Sequence, residues 1–189
     1  MRYRRTIACF FLFVIVVPLP VEAREIIFST AGEGSVAFLD TDKFGSACAG
    51  RLGGGVGSCY GFREKKEEFT LSPTVTLSYF GSSRSSVTDN IVIYRGFHTL
   101  RLALGLDFSI PTIPIMMNIA VGTNIAKYTD TANYFFFPDL QCIFFREIDA
   151  LSRKKSTWDI GLPVRLSLRN DMDVDLSAGI AFRLNLFLF

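Results

Sequence analysis

The segment Val174–Phe189 alternates with a period of two. Val174, Leu176, Ala178, Ile180, Phe182, Leu184, Leu186 and Leu188 fall on one face. Asp175, Ser177, Gly179, Ala181, Arg183 and Asn185 fall on the other. Successive side chains of a strand point to opposite faces, so this pattern makes a strand with one apolar and one polar side. At ~3.4 Å per residue and a ~45° tilt, such a strand is long enough to cross a bilayer.

The same alternation recurs along the chain. It predicts strands over Phe69–Tyr79, Leu100–Ile110, Ile115–Tyr128 and Trp158–Leu168, each with a run of Leu, Ile, Val or aromatic residues opposite Gly, Ala, Ser, Thr, Asn and a few charges. Three further strands read less cleanly. Glu25–Leu39 is interrupted by Gly32 and Gly34. Arg51–Phe62 sets Leu52, Val56, Tyr60 and Phe62 against Gly53, Gly55, Gly57 and Gly61. Tyr134–Phe145 is aromatic on both faces. The total is eight, and an even number returns both ends of a barrel to one side of the membrane. The expected turns on that side are Arg63–Glu68, Pro111–Pro114 and the charged stretch Arg146–Thr157. The expected outer loops are Asp40–Gly50, Gly81–Tyr94, Thr129–Asn133 and the short Asp171–Asp173. The long charged stretch thus falls opposite to the side where long loops are usual.

The N-terminus has the layout of a secretory signal. Arg2, Arg4 and Arg5 precede the apolar run Ile7–Val17, Pro18 and Pro20 break it, and Val21-Glu22-Ala23 is a small-residue cleavage pattern. The run is shorter than the ~20 residues a spanning helix needs. Residues 1–23 are therefore expected to be removed and 24–189 to form the barrel. The formal charge of +2 belongs to the signal, and the remainder is balanced between Lys+Arg and Asp+Glu. There is no electrostatic case for nucleic acid. Hydrophobic residues make up 49% of the chain without another long run, so the greasiness is spread over alternating segments.

Alternation fits either a lipid-facing or a core-facing apolar side. Three features favour lipid. The polar face is rich in small residues and poor in Lys and Glu, unlike a solvated surface. The segments exceed the ~5–6 residues of ordinary strands. Aromatic residues collect near segment ends: Tyr60, Phe62, Phe69, Tyr79, Tyr94, Phe97, Tyr128, Tyr134, Trp158 and Phe187, as at a membrane interface.

On the signal, the alternation and the terminal aromatic Phe189, the chain resembles the small eight-stranded bacterial outer-membrane barrels of the OmpX, OmpA-barrel and OmpW type. The resemblance implies a closed antiparallel eight-stranded transmembrane β-barrel in the outer membrane. It also implies outer-membrane lipid and the barrel-assembly machinery as partners, with Phe189 as the assembly signal. Phe187 and Phe189 share phase with Arg183 and Asn185 rather than with the leucines, so either a bulge or a variant signal is expected there.

With the apolar phase outward, the lumen receives Glu33, Arg101, Asp107, Asp159, Arg165, Arg169, Asp175 and Arg183. Charges in a narrow low-dielectric space must pair or stay hydrated. The short loop predicts Arg169 across from Asp175. The Pro-rich turn predicts Asp107 opposite Asn118 and Arg101 opposite Asn124. Small residues on adjoining strands leave volume, so a crevice is expected along Gly53, Gly55, Gly57, Ala103, Gly105, Ala120 and Gly122, with the charges opposite. Eight strands leave room for side chains or one small ligand, not a wide channel.

Nothing assembles an enzyme. His98, the only histidine, sits at a strand end in the lipid-facing phase, and its spacing to Ser85, Ser86 and Asp89 defines no triad. No metal-ligand spacing is present, the glycine run has no following helix or P-loop lysine, and no cofactor is implied. Cys48 and Cys59 could bridge only if the strand through Arg51–Phe62 did not form. Three functions fit: passage or binding of small solutes in a narrow polar lumen, display of outer loops to host surface ligands, and, least, lipid chemistry at the rim through His98.

Overall fold

The computed structural model describes residues 25–41, 45–61, 70–83, 85–87, 91–109, 113–153, 155–169 and 174–188. These residues contain ten strands: β1 (Glu25–Thr41), β2 (Gly45–Gly61), β3 (Thr70–Ser82), β4 (Ser85–Val87), β5 (Ile91–Tyr94), β6 (Phe97–Ser109), β7 (Met116–Tyr128), β8 (Tyr134–Glu147), β9 (Ser156–Leu168) and β10 (Val174–Leu188). Eight of them close into an antiparallel barrel in the order β1-β10-β9-β8-β7-β6-β3-β2, and β4 and β5 form a separate hairpin. The expected signal peptide and Phe189 lie outside the described residues.

Closure carries a fixed stagger. From Ile27 the pairing runs through Cys59, Thr74, Gly105, Ala120, Gln141, Arg165 and Ser177 and returns to β1 at Ala37, ten residues further along. For eight strands this stagger sets a strand tilt of about 40–45°. One end carries the start of β1, the end of β10 and the β2–β3, β6–β7 and β8–β9 connections; it is called the terminal end. The other connections lie at the loop end.

The expected strands form, with three differences. Asp40–Gly50 is not all loop: β1 runs to Thr41 and β2 starts at Gly45, these two residues pairing, and residues 42–44 lie outside what is described. The alternation simply persists there in small residues. The Gly81–Tyr94 region contains the β4–β5 hairpin, with Ile91, Val92, Ile93 and Tyr94 supplying the β-branched and aromatic strand. The mismatch at the end of β10 involves no bulge: its pairing with β1 is continuous to Leu188, so Phe187 stays in the inward phase. The β8–β9 connection is indeed the charged one, closed by the Arg153–Ser156 bridge.

Candidate functional site: the lumen

The exterior is apolar. Leu102, Val121, Leu140, Leu162, Val164, Leu176 and Ile180 point outward and are exposed across the middle of the barrel. Exposed aromatic residues flank them: Phe28, Tyr60, Phe144 and Trp158 toward the terminal end, Phe38, Tyr79, Tyr134 and Phe136 toward the loop end. Phe136 and Phe144 are eight residues apart on β8, which at ~3.4 Å per residue and ~40° tilt is roughly 20 Å of membrane thickness. Water has no use for such a belt, and lipid requires it. The chain is a small transmembrane β-barrel. Its fold is that of the small eight-stranded outer-membrane barrels.

Three aromatic residues expected at the interface, Phe97, Tyr128 and Phe187, are in the inward phase instead. Phe97 is 1% exposed. It meets Phe135 and Phe137 edge-on, at 5.6 and 6.0 Å between ring centroids. Phe135 in turn stacks on Tyr128 at 4.3 Å. All four occupy the inward phase of β6, β7 or β8. With Ala37, Ala49 and Ala126 they fill the lumen at the loop end. Arg169 lies over the Phe97 and Phe135 rings and donates to the Tyr128 hydroxyl at 3.2 Å.

Below this plug the lumen is crossed by ion pairs. Arg51 donates to Asp175 at 2.6 Å across the small inward residues of β1. Arg169 is not the residue across from Asp175: the β9–β10 register puts Ser167 there. Arg101 holds Asp139 through both carboxylate oxygens, at 2.7 and 2.8 Å, and Asn124 donates to the same group at 2.7 Å. Arg101 and Asp139 stand on β6 and β8, so their bond passes over β7 at Gly122. A Cβ there would meet both side chains at 2.6 Å, so this crossing requires glycine. Arg165 donates to Glu33 at 2.9 Å and lies over the Phe80 ring at 4.4 Å. Arg183 bridges two carboxylates, Asp107 and Asp159, each at 3.0 Å. Asn118 donates to Asp107 at 2.6 Å and Asn185 to Asp159 at 2.7 Å. The register sets Asp107 opposite Asn118 and Arg101 opposite Asn124.

Between these pairs and the terminal end lies a cavity of ≈ 640 Å³. One wall is made of small and hydroxyl residues, Gly55 and Gly57 on β2 with Ser72, Thr74, Thr76 and Ser78 on β3. The facing wall carries Asp159, Arg165 and Arg183, Asp107 stands next to Ser72 on the neighbouring strand, and Glu33 stands at the inner end. The rim reaches Ile113, Ile115, Asp149 and Phe187 at the terminal end. The inner end stops at Phe80, Arg101 and Glu33. Beyond that level Asp175 and Ala37 are fully buried, and Ser177 nearly so, which leaves no water-wide path past them. The lumen is thus one-ended among the described residues.

The expected crevice sector is only partly hollow. Gly55 and Gly57 line the cavity, but Gly53 is covered by the Phe80 ring. Ala103, Gly105, Ala120 and Gly122 lie outside the cavity. The Arg101–Asp139 pair fills the space above Gly122, and Thr74 and Ala120 close over Gly105. Sequence reasoning missed Arg51, Asp139 and Gln141. Arg51 shares the phase of Gly53 and Gly55 but stands where a loop was expected to end. Asp139 and Gln141 were masked by Phe135 and Phe137 in the same phase; two polar residues in a segment aromatic on both sides were the available signal.

Outside the lumen, His98 is exposed, and its Nδ1 shares a 2.7 Å hydrogen bond with the Tyr79 hydroxyl. The side chains of Ser85 and Ser86 and residue Asp89 lie outside what is described. Cys48 and Cys59 are free and stand on one strand, outward and inward respectively. Among the described residues no group of His, Cys, Asp and Glu could hold a metal. At the loop-end rim Arg95 donates to Asp130 at 2.6 Å, a bond that holds its guanidinium above the ordinary value.

No protein-family model and no curated protein sequence matches the chain. Solved structures similar in shape include Ail, the attachment invasion locus protein of Yersinia pestis, in complex with the heparin analogue sucrose octasulfate. It has 13% identity, a TM-score of 0.46, and a match covering 84% of this chain and 99% of that one. A second structure of Ail gives 12% identity and a TM-score of 0.45 over the same shares. Its backbone structure in a phospholipid bilayer nanodisc gives 12% and 0.39, over 80% of this chain and 99% of that one.

Proposed function

We propose that this protein is an exported outer-membrane barrel that binds a small solute in a one-ended lumen rather than conducting solutes across the membrane. In this reading residues 1–23 are cleaved on export. Phe189 serves recognition by the assembly machinery, and the terminal end faces the periplasm, as for single-chain barrels with an even strand number. The observation that carries the proposal is the ≈ 640 Å³ cavity open toward the terminal end and stopped by ion pairs and the Phe97–Phe135–Phe137 plug. A volume of this size suits one small molecule. The charges Glu33, Asp107, Asp159, Arg165 and Arg183 would orient it, while Arg101, Arg169 and Asp175 hold the closed half together.

Planar-bilayer recording tests the proposal. The wild-type barrel should carry no sustained ion current, and removing both barriers, Phe97→Ala and Phe137→Ala together with Arg51→Ala and Asp175→Ala, should open one. A steady wild-type conductance would restore the passage reading.

A second reading has its own observation. The β4–β5 hairpin stands outside the barrel sheet at the loop end. Its base is fixed by Ser83, whose amide donates to the Gly50 carbonyl at 2.8 Å and whose hydroxyl accepts from the Gly50 amide at 2.9 Å. A structured projection on a plugged barrel suits display to a host surface ligand. Replacing residues 85–94 by a short turn should abolish cell adhesion while the barrel still folds; unchanged adhesion would remove this reading.

A further inference from the structure

We infer that the cavity selects a small organic cation, an ammonium group carried on a hydrocarbon portion. This rests on the one-ended binding lumen proposed above and names the class of its ligand.

Charge is divided unevenly along the lumen. In the closed half Arg51, Arg101 and Arg169 face Asp139 and Asp175; in the open half Glu33, Asp107 and Asp159 face Arg165 and Arg183. The excess is positive between the aromatic plug and the cavity; Arg101, although bound to Asp139, also lines the cavity's inner end, so the cavity as a whole keeps an excess of one carboxylate. At the cavity one guanidinium, Arg183, serves two buried carboxylates, so the cluster keeps a net negative charge, with Asn118 and Asn185 as its other donors. Toward the mouth the lining adds Glu147 and Asp149 against Arg146. At the inner end Glu33 is 8% exposed; one oxygen takes Arg165, and Oε1 has no donor among the described residues. That oxygen is itself shut off from the cavity by its neighbours, so what a ligand meets is the net negative charge of the Asp107–Asp159 cluster, which favours a positively charged donor. Arg165 Nε is shut off from the cavity in the same way, and its guanidinium lies on the Phe80 face.

The rim supplies the other half of the recognition. Ile27, Ile113, Ile115, Met116, Phe145 and Phe187 line it. An ammonium reaching the carboxylates leaves its hydrocarbon part against these residues. An anion of equal size would meet the same apolar rim and then a cluster in which two carboxylates share one guanidinium.

Cys59 provides a native probe. It lines the cavity beside the Ser/Thr wall, and its thiol lies within electrostatic reach of Asp107 and Arg183. The folded barrel in phospholipid vesicles is treated with cationic 2-aminoethyl methanethiosulfonate or anionic 2-sulfonatoethyl methanethiosulfonate. Each transfers its alkylthio group to the thiolate and releases methanesulfinate. Modification of Cys59 is read by peptide mass spectrometry, and rates are normalised to free 2-mercaptoethanol. The cationic reagent should react at least about tenfold faster. Asp107→Asn or Asp159→Asn should narrow the ratio, and benzylammonium should protect Cys59 where benzoate does not. A ratio at or below unity in the wild-type barrel, or equal protection by the two aromatic ions, overturns the cation and leaves an open one-ended lumen intact. Labelling by neither reagent until the protein is denatured overturns the open lumen and the cation together.

Discussion

Arginine placed at two positions of equal depth tests which face of the barrel meets lipid. Leu162 and Thr76 are the central residues of β9 and β3. Leu162 points outward and is 60% exposed, and Thr76 lines the cavity. The exposed part of Leu162 is about 100 Å² of hydrocarbon, so its contact with lipid is worth about 2.5 kcal/mol at ~25 cal/mol per Å². An arginine at the bilayer midplane costs about 2–4 kcal/mol. Its stem keeps part of the leucine's lipid contact, so Leu162→Arg should lose roughly 3–5 kcal/mol in all. Against a total stability of ~5–15 kcal/mol, that is a large fraction. Thr76→Arg sends its side chain into the polar cavity that Asp107 and Asp159 also line and should cost under about 1 kcal/mol. Equilibrium unfolding by guanidinium from phospholipid vesicles measures both. Trp158, the single tryptophan, stands exposed in the terminal-side aromatic belt and reports the transition. If Thr76→Arg proved as damaging as Leu162→Arg, or more so, the apolar face would not be the lipid face, and the barrel would be inside out.

Two further outcomes follow from the lumen and from closure. Arg101→Ala strands a fully buried Asp139 carboxylate and should cost about 3–5 kcal/mol by the same unfolding assay, whereas Arg101→Met with Asp139→Leu should recover most of it; equal losses in the two would show that the pair itself, not the orphaned charge, carries the stability. A Cβ on Gly179 would lie 2.1 Å from the Gly34 carbonyl oxygen, so Gly179→Ala should force β1 from β10 and lower the fraction of protein that migrates as a folded barrel before boiling; an unchanged fraction would mean the seam can spread without loss.

The strands and the orientation of their faces were legible in the chain because both depend on local alternation. The polar phase of β6, β9 and β10 holds Arg101, Asp107, Asp159, Arg165, Asp175 and Arg183, and each of these side chains is inward. Where the local pattern was ambiguous, the reading failed. The aromatic residues Phe97 and Tyr128 looked interfacial because strand ends and interfaces coincide, yet their phase was the inward one. Most of the loop expected at Asp40–Gly50 is strand, up to Thr41 and again from Gly45, because small residues keep a pairing that hydrophobicity does not announce.

Period-two alternation, written into each segment alone, determined that this chain makes long strands with an apolar outer and a polar inner face. Which inner residues meet was decided only by closure. A stagger of ten residues around eight tilted strands brings Arg51 to Asp175 and Arg165 to Glu33, pairs separated by 124 and 132 residues. The same stagger sets the height at which the small residues of β2 and β3 face open space and those of β6 and β7 do not. No single segment carries that information, because the height of an inward side chain is a property of the whole ring of hydrogen bonds.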